Sequence, residues 1–346
     1  MTDQSRIRVA LAGYGVIGRR VADAVLAQQD MNLVGVADVA HDWRIAAAAR
    51  RGIRLYAAAG EARSAMEQAG LDIQGSLEDL ARAADVVVDC TPKGVGARNA
   101  ESYRRLGRPF IVQGGEKHEV TGHSFVAETS FASARGRPAT RVVSCNTTSI
   151  VRTLGALKRA GLLRKARGTL LRRATDPWES HLGGIMNTLV PEPAIPSHQG
   201  PDARTVDPDL DVVTIAIKVP ETIGHLHAWN VELTREATRE EVLAAFAASP
   251  RILPIPPGAG LDALNAVKEW MADAGRPHDN LYEVALWTES LSVEGSELFY
   301  CYMVDNQAIV IPETIDAIRA LAGTISAEES MRLTNETLGI GRLDQA

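Results

Sequence analysis

Apolar runs of strand length alternate with helix-periodic segments over the first part of the chain. The runs at 7–13, 31–38 and 85–91 are dominated by apolar residues. Between the first two, Val21 and Val25 recur at helical spacing. Strands that alternate with helices are typical of a parallel sheet covered by helices on both faces. The pattern therefore predicts an α/β fold for this part of the chain.

The pattern changes in the second half, where strand-like runs follow one another directly. Runs at 281–288, 291–294 and 297–304 are separated by only a few residues. Closely spaced strands with few helical crossovers favour a mixed or antiparallel sheet. We therefore predict an α+β second domain with a mixed or antiparallel sheet.

Helical periodicity returns near the C-terminus, at 312–323 and 327–339. We expect these helices to pack back on the first domain. The predicted organisation is an N-terminal α/β domain over 1–144, an α+β domain over 145–311, and C-terminal helices over 312–346.

Composition narrows the functional classes. The formal net charge of −6 argues against broad nucleic-acid or anionic-membrane binding, although a local basic pocket for a phosphorylated small molecule remains open. Three widely spaced cysteines form no Cys-x-x-Cys pair, so a reducing cytoplasm is expected. The N-terminal residues carry no apolar signal-peptide core, and no run approaches the ~20 apolar residues of a membrane span.

A glycine-rich turn follows the first predicted strand. Gly13, Gly15 and Gly18, with Val16 and Ile17 between the last two, form a G-x-G-x-x-G pattern where a helix begins. The first glycine permits the tight turn, the second lets the backbone approach a pyrophosphate, and the third lets helix and strand pack closely. The pattern predicts a Rossmann-type dinucleotide site. The alternative is a tight turn without a ligand.

The end of the second strand bears on the choice of cofactor. Asp38 lies 20 residues after Gly18, where a carboxylate accepts hydrogen bonds from ribose hydroxyls and repels a 2′-phosphate. We therefore expect NAD rather than NADP. Arg44 and Arg51 lie downstream and offer charges that would suit NADP instead. The remaining alternative is a solvated turn carboxylate.

Cys145 is the candidate nucleophile. It ends a strand-like run, and Asn146 and Thr147 then begin a turn or helix. A helix N-terminus stabilises a thiolate, a nearby imidazole lowers the thiol pKa further, and the free N–H groups can hold an oxyanion. The alternative is a small core cysteine, which is how we interpret Cys90 and Cys301.

A thiol nucleophile needs a partner base. His225 and His227 are two residues apart, so both lie on one face if the segment is extended. Either ring could serve the thiol, and the other would then be structural. Two histidines at this spacing could also bind a metal ion, but the sequence shows no third ligand, so we predict no metal site.

Seven segments, in order along nearly the whole chain, resemble those of glyceraldehyde-3-phosphate dehydrogenases, most closely the archaeal, type II branch. They are GYGVIGRRVADAV, DVVVDCTPKGVGARN, IVQGGEKHE, TRVVSCNTT, LLRRATDP, PSHQGPD and IVIPETIDAIRA. The family's catalytic histidine aligns best with the first of the histidine pair. The resemblance therefore implies His225 as the base and Cys145 as the nucleophile.

The resemblance also implies the remaining site residues. It assigns Arg173 to the cofactor site, and Arg172, Gln199 and Gly200, together with Asn146 and Thr147, to substrate or phosphate binding. Gln199 stands where the family commonly has a second histidine.

Two further residues are expected to contact the cofactor. Gly115 follows another predicted strand, which is consistent with a backbone contact. Asn306 falls where the family has a side-chain amide near the nicotinamide. Asp38 departs from the lysine that is frequent in this branch, and Ser149 from a frequent glycine.

The activity implied is a phosphorylating oxidation of an aldehyde. A thiolate attacks the carbonyl, hydride passes to NAD(P), and inorganic phosphate converts the thioester to an acyl phosphate. A small phosphorylated aldehyde or acyl phosphate is the expected partner, and a homotetramer the expected assembly. The alternatives are a related semialdehyde dehydrogenase of a specialised pathway and a redox-sensing NAD-binding module without turnover.

Overall fold

The computed structural model describes residues 6–183 and 185–341. Contacts between residues divide the chain into two compact units. The first unit runs up to Ser144 and also takes in Ile311–Leu338. The second unit covers Cys145–Val310 and continues from Gly339.

The first unit is built on an eight-stranded sheet. Its strands, in chain order, are β1 (Ile7–Ala12), β2 (Met31–Asp38), β3 (Leu55–Ala57), β4 (Ile73–Ser76), β5 (Val86–Asp89), β6 (Phe110–Val112), β7 (Ser124–Phe125) and β8 (Ala139–Val142). The spatial order is β4-β3-β2-β1-β5-β6-β8-β7, and every neighbouring pair is parallel. The order reverses between β1 and β5. Open parallel sheets bind ligands beyond the carboxyl ends of their strands at such a switch point.

Helices connect these strands. Those of the first unit are α1 (Val16–Ala27), α2 (Trp43–Arg50), α3 (Gly60–Gln68), α4 (Leu77–Arg82), α5 (Val95–Arg105) and α6 (Ala127–Ala134). Ser76 caps α4 because its hydroxyl accepts a hydrogen bond from the Asp79 N–H, while the Asp79 carboxylate accepts one from the Ser76 N–H. One apolar cluster joins Leu80 of α4 and Tyr103 of α5 to the sheet residue Val87.

The second unit is built around one buried helix and a mixed sheet. Its helices are α7 (Cys145–Arg159), α8 (Ser180–Gly183), α9 (Gln199–Arg204), α10 (Arg239–Ala247) and α11 (Leu264–Asp273). Every residue of α7 from Asn146 to Leu157 is buried. This helix therefore carries polar side chains into the core, where each needs a partner.

The sheet of the second unit has seven strands. They are β9 (Leu163–Arg173), β10 (Val190–Pro191), β11 (Val212–Val219), β12 (His225–Leu233), β13 (Ile252–Ile255), β14 (Val284–Glu294) and β15 (Glu297–Val304). Their order is β10-β11-β9-β12-β15-β14-β13. Two pairs are parallel, β11 with β9 and β13 with β14, and the others are antiparallel. The predicted fold class, a parallel α/β domain with a mixed-sheet α+β domain, is confirmed.

One strand prediction was wrong. The runs at 281–288 and 291–294 belong to a single strand, β14, rather than to two. The pairing of β14 with β15 shifts register between Trp287 and Ser292, and the Ser290 hydroxyl accepts a hydrogen bond from the Cys301 N–H across this irregularity. The polar residues there mark a bulge, which interrupts a ladder without ending the strand.

The C-terminal segment contributes two helices, α12 (Val310–Ala322) and α13 (Ala327–Leu338). Arg319 of α12 is buried, and its Nε and one terminal guanidinium nitrogen donate to the two carboxylate oxygens of Asp30, each at 2.8 Å. It also donates to the side chain of Gln28 at 2.7 Å. These charge-assisted hydrogen bonds hold α12 to the end of α1 and the start of β2 within the first unit.

Candidate active site

Cys145 and His225 lie in direct contact. Cys145 is the first residue of α7, and His225 is the first residue of β12. The Cys145 Sγ is 3.3 Å from the His225 Nε2. Cys145 is partly exposed, whereas His225 is 3% exposed. This is the thiol–imidazole contact that the sequence analysis expected, with the first histidine of the pair.

The second ring nitrogen of His225 fixes its tautomer. The backbone N–H of Arg173 donates to the His225 Nδ1 at 3.0 Å. Because Nδ1 accepts this bond, the proton of the neutral ring lies on Nε2 and points toward the sulfur. His225 is thus a hydrogen-bond donor to the thiol site. The role of His225 as a base stays a prediction; in this tautomer the Nε2 that faces the sulfur already carries a proton.

The electrostatics favour a neutral thiol and a neutral ring. Burial raises the pKa of the Cys145 thiol, although the charge of Arg173, the N–H of Asn146 and the charge of Arg172 oppose this shift. Burial, together with His227 and the two arginines, holds the pKa of His225 well below its usual range. The N–H contribution expected at a helix N-terminus is present, but burial outweighs it.

His227 occupies a different place from His225. It is fully buried, with its Nε2 2.8 Å from the Asn146 Oδ1 and its Nδ1 2.8 Å from the Tyr302 hydroxyl. Burial lowers the pKa of His227 to about 3, so the ring is neutral. Both nitrogens are engaged, and His227 therefore has no free position for the thiol or for a metal. Among the described residues, no group of three or more potential metal ligands occurs.

The adjacent arginines Arg172 and Arg173 bring positive charge to the thiol. Arg172 pairs with Glu192 at 3.1 Å, and Arg173 pairs with Asp176 at 3.3 Å. The Nε of each arginine is buried without a hydrogen-bond partner among the described residues. Buried, unpaired donors of this kind suit an anionic ligand such as phosphate.

Asp176, which the sequence analysis did not single out, gathers three site side chains. Its Oδ1 accepts hydrogen bonds from the Asn306 amide at 3.1 Å and the Gln307 amide at 2.9 Å, in addition to the Arg173 ion pair. The Asn306 Oδ1 is buried and has no partner among the described residues. An unpaired carbonyl oxygen of this kind fits the amide donor of a nicotinamide carboxamide. The sequence signal that could have identified Asp176 is its position three residues after Arg173, with which it forms an ion pair.

The first residues of α9 and the loop before it lie near the predicted phosphate site residues. The Gly200 N–H and the Ser197 hydroxyl both donate to the Thr214 Oγ1, at 3.0 and 2.8 Å, so the predicted phosphate contact from Gly200 is not supported. The side chain of Gln199 is fully buried, and neither its Nε2 nor its Oε1 has a partner among the described residues. Gln199 remains available to a ligand or a water molecule.

Thr147 has a structural contact instead of a free hydroxyl. Its Oγ1 donates to Asp202 at 2.7 Å and thereby ties α7 to α9. This bond competes with the predicted direct role of Thr147 in substrate binding.

In the first unit, the glycine turn has the geometry of a dinucleotide site. Gly13 has a φ of +84°, and a Cβ on Gly18 would lie 1.9 Å from the Gly13 carbonyl oxygen. A Cβ on Gly15 would meet no atom of residues 6–183 or 185–341 within 4 Å, and Gly15 immediately precedes α1, which begins with Val16 and Ile17. The open position at the helix N-terminus leaves room for a pyrophosphate.

Asp38 is fixed by three backbone N–H groups. Its carboxylate accepts hydrogen bonds from Tyr14 at 2.6 Å, Val39 at 2.7 Å and Ala40 at 2.8 Å. The bond to Tyr14 links the end of β2 to the glycine turn. Since a carboxylate offers about four acceptor positions, one remains for a ribose hydroxyl. Asp38 is therefore not merely a solvated turn residue.

The two arginines that offered an alternative are both paired. Arg44 binds Asp42 at 2.5 Å, and Arg51 binds Asp23 at 2.6 Å. Each positive charge is thus balanced by a carboxylate of its own.

Other expected positions differ in detail. Gly115 is exposed after β6, while a Cβ on Gly114 would lie 2.3 Å from the Ser144 nitrogen. Gly115 therefore remains free for a backbone contact. Cys90 and Cys301 are both partly exposed, so neither is the fully buried core cysteine that we expected.

Comparison with protein families gives two matches. Residues 144–269 match the family described as glyceraldehyde 3-phosphate dehydrogenase, C-terminal domain. Residues 7–119 match the family described as dihydrodipicolinate reductase, N-terminus.

Curated relatives match over almost the full length. The chain is 44% identical to a glyceraldehyde-3-phosphate dehydrogenase of Metallosphaera sedula, covering 97% of this chain and 98% of the relative. It is 45% identical to the enzyme of the same name from Pyrobaculum calidifontis, covering 96% and 97%. The protein of that name from Methanococcoides burtonii is 43% identical, covering 97% and 100%.

Two glycine substitutions in this turn can separate an effect on stability from an effect on NAD binding. Gly18→Ala forces a Cβ against the Gly13 carbonyl, so we expect about 2–3 kcal/mol of lost stability and weak NAD binding. Gly15→Ala meets no protein atom and should keep the melting temperature while still weakening NAD binding. Thermal denaturation and fluorescence titration measure the two effects. A Gly15→Ala protein with wild-type NAD affinity would contradict the pyrophosphate assignment.

The thiol environment generates a pH prediction. Because burial raises the pKa of Cys145, the thiolate fraction should increase with pH, and the rate of alkylation by iodoacetamide should climb to a midpoint above that of an exposed thiol. Arg173→Ala removes a charge that favours the thiolate and should move the midpoint to higher pH.

Arg167→Ala provides the matched control, since Arg167 lies on the same strand but is exposed beside Glu232. Its alkylation profile should equal that of the wild type. A wild-type midpoint below about pH 7 would show a thiolate–imidazolium pair and contradict the neutral arrangement.

Proposed function

The chain belongs to the glyceraldehyde-3-phosphate dehydrogenase family, and from this premise we propose that it oxidises a phosphorylated aldehyde, glyceraldehyde 3-phosphate, to an acyl phosphate with a nicotinamide cofactor. The observation that carries the proposal is the 3.3 Å contact between Cys145 and His225 at the start of a buried helix. The names of the relatives favour glyceraldehyde 3-phosphate over the semialdehyde of a specialised pathway as the substrate.

The residues fit a bound dinucleotide. In the first unit, the turn at Gly13–Gly18 leaves an open helix N-terminus for a pyrophosphate. In the second unit, the Asn306 Oδ1 has no partner among the described residues and can accept a hydrogen bond from a carboxamide. When bound, the cofactor supplies the acceptor for the hydride that leaves the substrate carbon. Arg173 joins this arrangement indirectly, because Asp176 binds both Arg173 and Asn306.

Thiolate attack is the first chemical step. The thiol of Cys145 gives its proton to solvent, and the thiolate sulfur bonds to the aldehyde carbon while the carbonyl π electrons move to oxygen. The Nε2–H of His225 and the N–H groups at the start of α7 donate to this oxyanion. When hydride departs, the oxygen electrons re-form the carbonyl and give a thioester on Cys145. In these steps His225 acts as a hydrogen-bond donor. Because the substrate oxygen stays an oxyanion, no base has to remove a proton from it.

Phosphorolysis completes the reaction. An oxygen of inorganic phosphate attacks the thioester carbon, and the Cys145 sulfur leaves as the thiolate. Arg172 and Arg173 supply the positive charge for phosphate, and the buried Nε of each has no hydrogen-bond partner in the described part of the chain. Gln199 supplies a neutral donor where a histidine is common in the family.

NAD is the preferred cofactor. The carboxylate of Asp38 lies at the end of β2, fixed by its backbone hydrogen bonds, and would repel a 2′-phosphate. Arg44 and Arg51 are each committed to a carboxylate, so their charges are less available to NADP.

Assembly and compartment complete the proposal. The outward face of the second unit's sheet carries apolar residues, among them Ile215, 40% exposed, and Phe299, 37% exposed. Association with further copies of the chain would cover this face, which supports the homotetramer. Three unpaired cysteines suit a reducing cytoplasm. Among the described residues, no helix has the length and apolar character needed to cross a membrane.

A steady-state assay tests the proposed activity. With glyceraldehyde 3-phosphate, we expect sustained NADH formation only when inorganic phosphate is present, and a higher kcat/KM with NAD than with NADP. Cys145→Ser should lower turnover by at least ~10³-fold and leave NAD affinity within about twofold, because the nucleophile is lost while the cofactor contacts remain.

Cys301→Ser serves as the control, since this partly exposed thiol on β15 has no proposed role, and its turnover should match the wild type. NAD binding without any NADH formation would instead support the redox-sensing module. Phosphate-independent turnover on non-phosphorylated aldehydes would favour a different aldehyde dehydrogenase.

A further inference from the structure

A chain of buried polar groups lies beside the reacting thiol and is not used by the mechanism above. Tyr302 and His227 are fully buried, and Asn146 is 3% exposed. The Tyr302 hydroxyl lies 2.8 Å from the His227 Nδ1, and the His227 Nε2 lies 2.8 Å from the Asn146 Oδ1. Burying three polar side chains is unfavourable unless each is paired, and here each is.

The donors and acceptors can be placed along this chain. His227 is neutral, so it carries one N–H. The amide oxygen of Asn146 can only accept, so that proton lies on the His227 Nε2. The Nδ1 must then accept from the Tyr302 hydroxyl. The direction of donation is therefore from Tyr302 through His227 to Asn146.

A second contact holds the backbone of the same residue. The Ser149 hydroxyl donates to the Asn146 carbonyl oxygen at 2.8 Å, and its oxygen lies 3.3 Å from the Tyr302 hydroxyl oxygen. Both the peptide group and the side chain of Asn146 are thus fixed. With its oxygen held by His227, the amide can offer only its nitrogen to a ligand, and no described residue accepts from that nitrogen.

The spacing brings this amide close to the chemistry. His225 and His227 are alternate residues of β12, about 7 Å apart at their Cα atoms, and they contact the consecutive residues Cys145 and Asn146. The two contacts lie side by side between β12 and the first turn of α7. A substrate bonded to the Cys145 sulfur is therefore within reach of the neighbouring amide.

We propose that Tyr302 and His227 form a positioning relay, which presents the amide nitrogen of Asn146 as a hydrogen-bond donor to the oxyanion formed when Cys145 attacks the aldehyde. The inference rests on the proposed function and deepens it. Asn146 would then be a catalytic residue that contacts the reacting oxygen, and Tyr302 and His227 act through it. Ser149, where the family often has glycine, reinforces the same orientation.

The test is the first-turnover burst of NADH, measured by stopped flow without phosphate. Asn146→Ala removes the donor and should slow the burst about 100-fold. Asn146→Asp places a carboxylate oxygen where the donor was and should slow it further. Tyr302→Phe removes one hydroxyl and should slow the burst on the order of three- to tenfold, because the amide is then less strictly oriented.

Three measurements separate positioning from a structural effect. Tyr302→Phe should have no further effect in the Asn146→Ala background, because the relay acts only through Asn146. Tyr300→Phe is the matched control, since Tyr300 is equally buried on the same strand but its hydroxyl is outside the relay, and it should keep the wild-type burst. Iodoacetamide should alkylate Cys145 at the wild-type rate in Tyr302→Phe.

The proposal is overturned if Asn146→Ala keeps the wild-type burst. It is equally overturned if Tyr302→Phe slows the double variant as much as it slows the wild type, or if Tyr300→Phe and Tyr302→Phe lose the same activity. Absence of a burst in the wild-type protein is a different outcome, because it removes the proposed function itself. A normal wild-type burst with unaffected variants removes only the relay.

Discussion

The packing of the first turn of α7 against β12 is the constraint on which the catalytic arrangement depends. The helix begins at Cys145 and is buried for the next three turns, so its first residues cannot shift without disturbing the core. On the strand, two histidines project at alternate positions and contact Cys145 and Asn146. A fixed helix start and the two-residue repeat of a strand together define the geometry.

Burial gives this site its chemical character. It keeps the thiol protonated and both imidazoles neutral, so the groups meet as hydrogen-bond partners rather than as an ion pair. The core also contains a charge, because Arg152 of α7 is fully buried and donates to the carbonyl oxygens of Tyr282 and Ile309, at 2.7 and 3.1 Å. These bonds anchor the helix to the segment that precedes β14 and to the segment that follows β15. The segment after β15 also carries Asn306, whose amide donates to Asp176.

Much of this could be predicted from the sequence, because the signals are local. The glycine spacing that ends at Gly18 predicts a strand–turn–helix motif. A cysteine followed by small polar residues after a β-branched run predicts the start of a helix. The direction of hydrogen bonding could not be predicted. The protonation of the His225 ring is set by a hydrogen bond from the backbone N–H of Arg173, which is distant in sequence. The contacts of Thr147 and Gly200 with distant side chains were hidden in the same way, since sequence spacing does not show which donors the fold itself satisfies.

The most direct measurement is mass spectrometry of the enzyme after reaction with glyceraldehyde 3-phosphate and NAD in the absence of phosphate. The account predicts an acyl group on the tryptic peptide 142–152, which contains Cys145 between Arg141 and Arg152, and its discharge when phosphate is added. NADH formation with this peptide unmodified, or with the acyl group on the peptide that contains Cys90, would contradict it.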